Sequence, residues 1–152
     1  MIECKEITYN QILECWYKLW NRERYDPYVS MRYKDIKCEV VQEPTPTFFG
    51  LYDDDNLIGC NSGFVNNIIN GDLYYRSRGL WINPHYRKKG YSSILLAATI
   101  DKAKTENAQY CWTLPKIDAL PAYERFGFVK TSNFTSWDFG QNCYALYTIK
   151  DK

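Results

Sequence analysis

Residues Leu80 to Ala98 limit what this chain can fold into more than any other stretch. Leu80-Trp81-Ile82 are bulky apolar residues suited to a buried strand, and Asn83-Pro84 ends that strand because proline cannot donate to a sheet ladder. Arg87-Lys88-Lys89-Gly90-Tyr91-Ser92 is a basic turn with a glycine in it, and Ile94-Leu95-Leu96-Ala97-Ala98 continues as a helix. The first N–H groups of a helix have no internal partner, and the helix dipole makes that end electropositive. Strand, glycine turn and helix N-terminus together make a site for a phosphate or pyrophosphate. Gly90 lets the backbone come close to the anion, and Arg87, Lys88 and Lys89 add charge around it.

Two better-known phosphate loops are excluded. The chain has no Gly-Lys-Ser/Thr, so no Walker-type nucleoside-triphosphate loop, and no G-x-G-x-x-G to support a dinucleotide fold. The stretch instead resembles the acyl-CoA signature of the GNAT superfamily of N-acetyltransferases: an apolar strand, a proline, then Arg/Gln-x-x-Gly-x-Gly/Ala opening a helix. Here the last small residue is Ser92, which keeps its backbone N–H. A second segment, Ala119-Leu120-Pro121-Ala122-Tyr123-Glu124-Arg125-Phe126-Gly127-Phe128, resembles the family's second block, an alanine followed by Tyr-Glu-Lys/Arg-x-Gly-Phe. The asparagine often found three residues before that alanine is Lys116 here. The bland alternatives are a solvated basic turn and an amphipathic helix with a glycine cap. The two blocks lie in the family's order and cover roughly residues 78 to 129 by the motif reading.

The resemblance implies a mixed, mainly antiparallel α/β (α+β) sheet of about six to seven strands with helices on both faces, in a single domain over residues 1–152. It implies acetyl-CoA as cofactor. The backbone of Arg87, Lys88, Lys89, Gly90, Tyr91 and Ser92 would hold the pyrophosphate, and Ile82 would hydrogen-bond the pantetheine arm like an added strand. The N–H of Leu80 would face the thioester oxygen, and Tyr123 would protonate the departing thiolate, although a tyrosine there can also simply pack. The acceptor would be a small-molecule amine or a protein amino group. A non-catalytic CoA-binding module is the alternative. No carboxylate base lies within Leu73 to Leu80; Asp118, or water relayed through Tyr75 or Ser77, remains open. His85, in the loop beside the anion site, is read as facing solvent or phosphate. Arg76 and Arg78 could select an acceptor carrying a carboxylate and are equally compatible with a surface position.

The formal net charge of +1 gives no general field for nucleic acid or an anionic membrane, so neither is expected as a partner. Six scattered cysteines without a C-x-x-C pair, and a single histidine, argue against a metal site. With no signal peptide or membrane-length apolar run, reduced thiols in a cytoplasmic protein are the default reading. Oligomeric state, a homodimer included, is open.

Along the chain, Ile2–Tyr9 reads as a strand, and Asn10 as cap of a helix reaching toward Asp26-Pro27. Tyr28–Lys37 is a helical or irregular piece, with Tyr25, Tyr28, Met31 and Tyr33 as candidate acceptor-lining or core residues. Phe48–Tyr52 and Leu57–Phe64 form a hairpin, Asn66–Gly71 turns the chain, and Leu73–Ile82 returns as a long strand in which Gly79 marks either a bulge or a close backbone approach. Tyr91–Glu106 is the main helix, Tyr110–Leu114 a strand and Ile117–Phe126 a helix that Pro121 either opens from its first turn or kinks. Phe128–Thr135 and Asn142–Lys150 finish as antiparallel strands.

Overall fold

The computed structural model describes residues 1–20, 26–137 and 140–149. β1 (Ile2–Ile7) leads into α1 (Tyr9–Leu19), and the helix starts one residue before the expected cap. Thr8 caps it instead: its hydroxyl accepts from the Gln11 N–H at 3.2 Å, and the Gln11 side chain accepts from the Thr8 N–H at 2.8 Å. That reciprocal pair satisfies two orphan donors, which Asn10 inside the first turn cannot do. Ile12, Cys15 and Trp16 form the buried stripe of α1, and the described helix ends at Leu19, short of the expected Asp26-Pro27. Residues 28–37 are irregular apart from one tight turn at Tyr33–Asp35.

β2 (Glu39–Val40) is a short edge piece that the sequence reading did not anticipate. β3 (Thr47–Asp53), β4 (Asn56–Ile69) and β5 (Asp72–Ile82) follow as two hairpins. Asn70 and Gly71 have φ of 51° and 83°, the geometry of a two-residue turn whose twist matches paired strands. β4 therefore runs through residues expected to turn. Asn66 and Asn67 can lie inside it because they are buried with both Nδ2 groups donating to the Met31 carbonyl at 2.8 Å.

α2 (Tyr91–Thr105) crosses from β5 to β6 (Tyr110–Thr113), giving the parallel pair of the main sheet. α3 (Leu120–Phe126) begins at Leu120 rather than Ile117, which puts Pro121 in its first turn and not at a kink. The last stretch is more broken than two strands: β7 (Val129–Lys130), β8 (Thr135–Trp137), β9 (Gly140–Asn142) and β10 (Ala145–Thr148). β8 and β9 form a separate two-stranded sheet, while β10 inserts between β6 and β7. The main sheet has eight strands in the order β1-β3-β4-β5-β6-β10-β7, with β2 on β4.

The sheet is mixed, mainly antiparallel and covered on both faces, with a strand more than expected. On one face Ile12, Cys15 and Trp16 of α1 pack on Cys60 and Trp81. On the other, Leu95 of α2 meets Phe49, Leu51 and Ile58, while Leu96 and Ile100 join Tyr75 and Tyr123. No helix among the described residues is long and apolar enough to cross a membrane.

Candidate functional site

β5 and β6 pair only at Tyr74–Tyr110, Tyr75–Cys111 and Arg76–Trp112. Beyond Arg76 the remainder of β5 has no strand on that side, and the two strands part like a fork. A cavity of about 1180 Å³ fills the fork, reaching from the N-terminus of α2 to the α1 face of the sheet. Leu80 and Ile82 border it from β5, Thr113 from the end of β6 with Leu114 just beyond, and Tyr123 from α3.

A bulge shapes the β5 side. Cys60 lies opposite Trp81 and Ser62 opposite Arg78, so Gly79 and Leu80 together face Asn61 alone. Gly79 has φ of 81°, and a Cβ on it would lie 2.4 Å from Trp16 Nε1. That indole N–H donates to the Gly79 carbonyl at 3.3 Å, which ties the bulge to α1. Past the bulge the Asn83 N–H donates to the Ile58 carbonyl at 2.7 Å. Alternation then turns the polar groups of Ile82 to the opposite edge, where the Arg87 Nε donates to the Ile82 carbonyl at 2.9 Å.

At the mouth of the fork, Lys88 and Gly90 have φ of 63° and 78°. α2 starts with no side-chain cap and no acidic residue in its first turn. A Cβ on Gly90 would meet nothing within 4 Å, so open space adjoins the first helical N–H groups. The surrounding Arg87, Lys88, Tyr91 and Ser92 also border the cavity. Lys89 does not border it; its ammonium lies over the Tyr86 ring, 5.8 Å from the centroid. His85 is exposed and off the cavity as well.

Tyr123 is buried where the fork closes, with its ring edge-on to Phe128 at 5.3 Å. Burial pushes its phenol up to about 12, partly opposed by hydrogen bonding with Thr113 and Ser77 and by the positive charge of Arg76. The group is therefore protonated throughout the neutral range. Ser77 is held in turn by Asn61, whose Nδ2 donates to Ser77 Oγ and Thr99 Oγ1, both at 2.9 Å. Tyr75 is no relay into this site: its hydroxyl donates to Glu106 Oε2 at 3.0 Å, away from the cavity. Asp118 does border the cavity and is exposed.

On the α1 face the two arginines of β5 are buried, not superficial, at 7% exposure for Arg76 and 5% for Arg78. The Arg76 guanidinium lies 4.4 Å from the Trp112 ring centroid and its Nε has no hydrogen-bond partner. Arg78 Nη1 donates to the Asp26 carbonyl at 2.9 Å, with Trp20 and Trp16 against its guanidinium at 4.7 and 5.1 Å. Met31 borders the cavity, whereas Tyr28 packs on Phe64 and Tyr33 on Trp112 and Tyr144. Tyr25 lies outside the described residues.

Residues 6–128 match the acetyltransferase (GNAT) family. The chain belongs to that family. A search of curated proteins finds no match. Among solved structures, the chain is similar to FeeM, an N-acyl amino acid synthase from uncultured soil microbes, at 10% identity and TM-score 0.70, covering 98% of this chain and 91% of that one. It is also similar to a GNAT-family acetyltransferase from Staphylococcus aureus Mu50, at 13% identity, TM-score 0.67 and coverage of 99% and 100%. Mutant forms of the spermidine/spermine N-acetyltransferase SpeG from Vibrio cholerae match at 17% identity, TM-score 0.65 and coverage of 98% and 95%. At such identities the likeness is one of fold.

In this GNAT chain, one residue at the fork carries no signal in the sequence. Asn142 lies far from both motif blocks, yet it bridges to Lys116 and borders the cavity. Its Nδ2 donates to the Leu114 carbonyl at 2.6 Å and its buried Oδ1 has no partner. An amide thus stands beside the position where the family often carries asparagine. Asn66 and Asn67, which pin Met31 to β4, read as turn formers in sequence. Only their burial gives them away.

Proposed function

We propose that this chain moves an acetyl group from acetyl-CoA to a primary amine by direct attack on the thioester, with backbone oxyanion stabilisation at Leu80 and Tyr123 as general acid. The observation that carries the reading is the fork: a parallel pair that stops at Arg76 and Trp112, with a cavity of about 1180 Å³ running from an uncapped basic helix start to a buried phenol. Acetyl-CoA would supply an acyl carbon activated as a thioester, whose transfer exchanges a carbon–sulfur for a carbon–nitrogen bond. The backbone at Arg87–Ser92 binds the diphosphate, and the free edge of β5 at Ile82 orients the pantetheine arm. A backbone donor at Leu80, fixed by the bulge, needs no reorganisation, and such a donor contributes about 3 kcal/mol in acyl transfer.

Tyr123 holds the proton that the thiolate needs. Thr113, Ser77 and Arg76, which favour its ionised form, are placed to stabilise the phenolate left behind. The attacking amine loses its proton to water or to Asp118. A thermal-shift titration with acetyl-CoA, followed by thiol-release kinetics, tests the reading. Acetyl-CoA raises the melting temperature, and Tyr123→Phe slows turnover about 100-fold, within the range for a general acid, with cofactor affinity retained. No shift at millimolar acetyl-CoA sinks it.

The alternative, a CoA-binding module without turnover, is favoured by one feature: among the described residues only Asp26 and Asp118 bring carboxylates to the cavity. Cofactor binding with no thiol release across a broad amine panel would establish it.

A further inference from the structure

Arg76 and Arg78, two residues apart on β5 and before the bulge, present their side chains to the same face of the sheet. That face is the one away from α2, reached by the cavity between Trp20, Val29 and Met31. Burying a guanidinium is strongly unfavourable unless a counter-charge or a full set of hydrogen bonds compensates. Arg76 has neither. Among the described residues no ion pair involves it. Its Nε is buried without a partner, and its Nη1 meets a thioether sulfur, Met31 Sδ, at 3.5 Å, a weak acceptor. The Trp112 face at 4.4 Å offsets only part of the cost. Burial, with Arg78 nearby, brings its pKa down to about 9, so it is still a cation at neutral pH.

A desolvated cation bordering a cavity and lacking an internal counter-ion is a receptor for an anion that arrives with the ligand. We propose that the acceptor carries a carboxylate together with its amine, making it an amino acid in free-acid form, and that Arg76 receives the carboxylate with Arg78 flanking it. This rests on the acetyl-transfer reading and specifies its acceptor. The same pair works against a polyamine, whose remaining ammonium groups would face two buried guanidiniums without water to screen them. Apolar walls at Leu19, Trp20, Val29 and Met31 suit an acceptor whose remaining surface is apolar.

The experiment compares free amino acids with their carboxamides, and with spermidine, as acceptors for the wild-type protein and acetyl-CoA, read by thiol release. CoA binding is measured separately by calorimetry. The acids exceed the amides by at least about tenfold in kcat/KM, the loss expected for one charge-assisted hydrogen bond. Arg76→Met shrinks that preference to about twofold, chiefly by raising KM for the acid, and Arg76→Lys recovers part of it. The wild-type comparison stands even where a variant fails to fold. If CoA does not bind, the acetyl-transfer reading falls and this inference with it. If CoA binds and acids, amides and spermidine turn over alike, or spermidine is preferred, the inference is overturned while the transfer reading survives. If CoA binds without any turnover, titrating acid and amide into the CoA-bound protein decides: tighter acid upholds the carboxylate site, and equal affinities overturn it.

Discussion

Gly79 and Gly90 offer a matched pair of perturbations. Their φ values, 81° and 78°, are nearly equal, so alanine at either position meets the same left-handed backbone penalty of about 1–2 kcal/mol. Their surroundings differ. A Cβ at Gly90 enters open space, whereas at Gly79 it falls 2.4 Å from Trp16 Nε1 and 2.9 Å from Cε2. Trp16 has no exposed surface and packs among Ile12, Cys15, Cys60 and Trp81, so it has little room to retreat. Overpacking of this kind costs about 1–3 kcal/mol, and losing the Trp16–Gly79 hydrogen bond about 1 more.

Gly79→Ala should therefore destabilise by about 3–6 kcal/mol and Gly90→Ala by about 1–2 kcal/mol. In a chain of this length the difference of about 2–4 kcal/mol separates the melting temperatures by roughly 4–16 °C. Urea titrations of both variants, followed by circular dichroism, measure the difference. Ligand response should run the other way: the Gly90 methyl occupies the space adjoining the α2 N-terminus, so this variant folds but binds acetyl-CoA weakly. Equal stability losses would refute the claim that contact with Trp16, rather than the backbone conformation, is what Gly79 is there to avoid.

Two further predictions concern stability alone. Tyr123 has a folded-state pKa of about 12 against an ordinary value of 10.0, raised mainly by burial. Between those values the folded chain keeps a proton that the unfolded chain has released, so stability is fully present below pH 10 and falls as pH rises toward 12. Tyr123→Phe should flatten that slope in alkaline urea titrations, and an unchanged slope would assign the loss to other tyrosines. At the start of α1, Thr8→Ala should cost about 1 kcal/mol in urea denaturation while Asn10→Ala costs a few tenths, and the reverse order would return the cap to Asn10.

The basic glycine turn between β5 and α2 was legible in sequence because its physics is local. An apolar strand, Pro84, Gly90 and a helix start lie within a dozen or so consecutive residues, and neighbouring backbone groups do most of what the turn requires. The same holds for Pro121 in the first turn of α3 and for the alternation of β5. Local signals were less reliable where polar residues have two uses. Asn66 and Asn67 carry turn chemistry in sequence, but a carbonyl at Met31, far away in the chain, satisfies both amides and keeps them in a strand. Lys89 has the charge of an anion-site residue, yet it lies over Tyr86 off the cavity.

The sequence by itself determined that a strand, a basic glycine turn and a helix follow one another, and that a tyrosine block comes later in the order the GNAT family uses. Only the tertiary structure decided that β6 leaves β5 after Arg76, that Tyr123 rests in the fork so formed, and that Arg76 is enclosed without a counter-charge among the described residues. The division has a physical reason. Backbone conformation and caps depend on residues within a turn of one another, whereas desolvation and strand separation depend on which distant segments cover a residue.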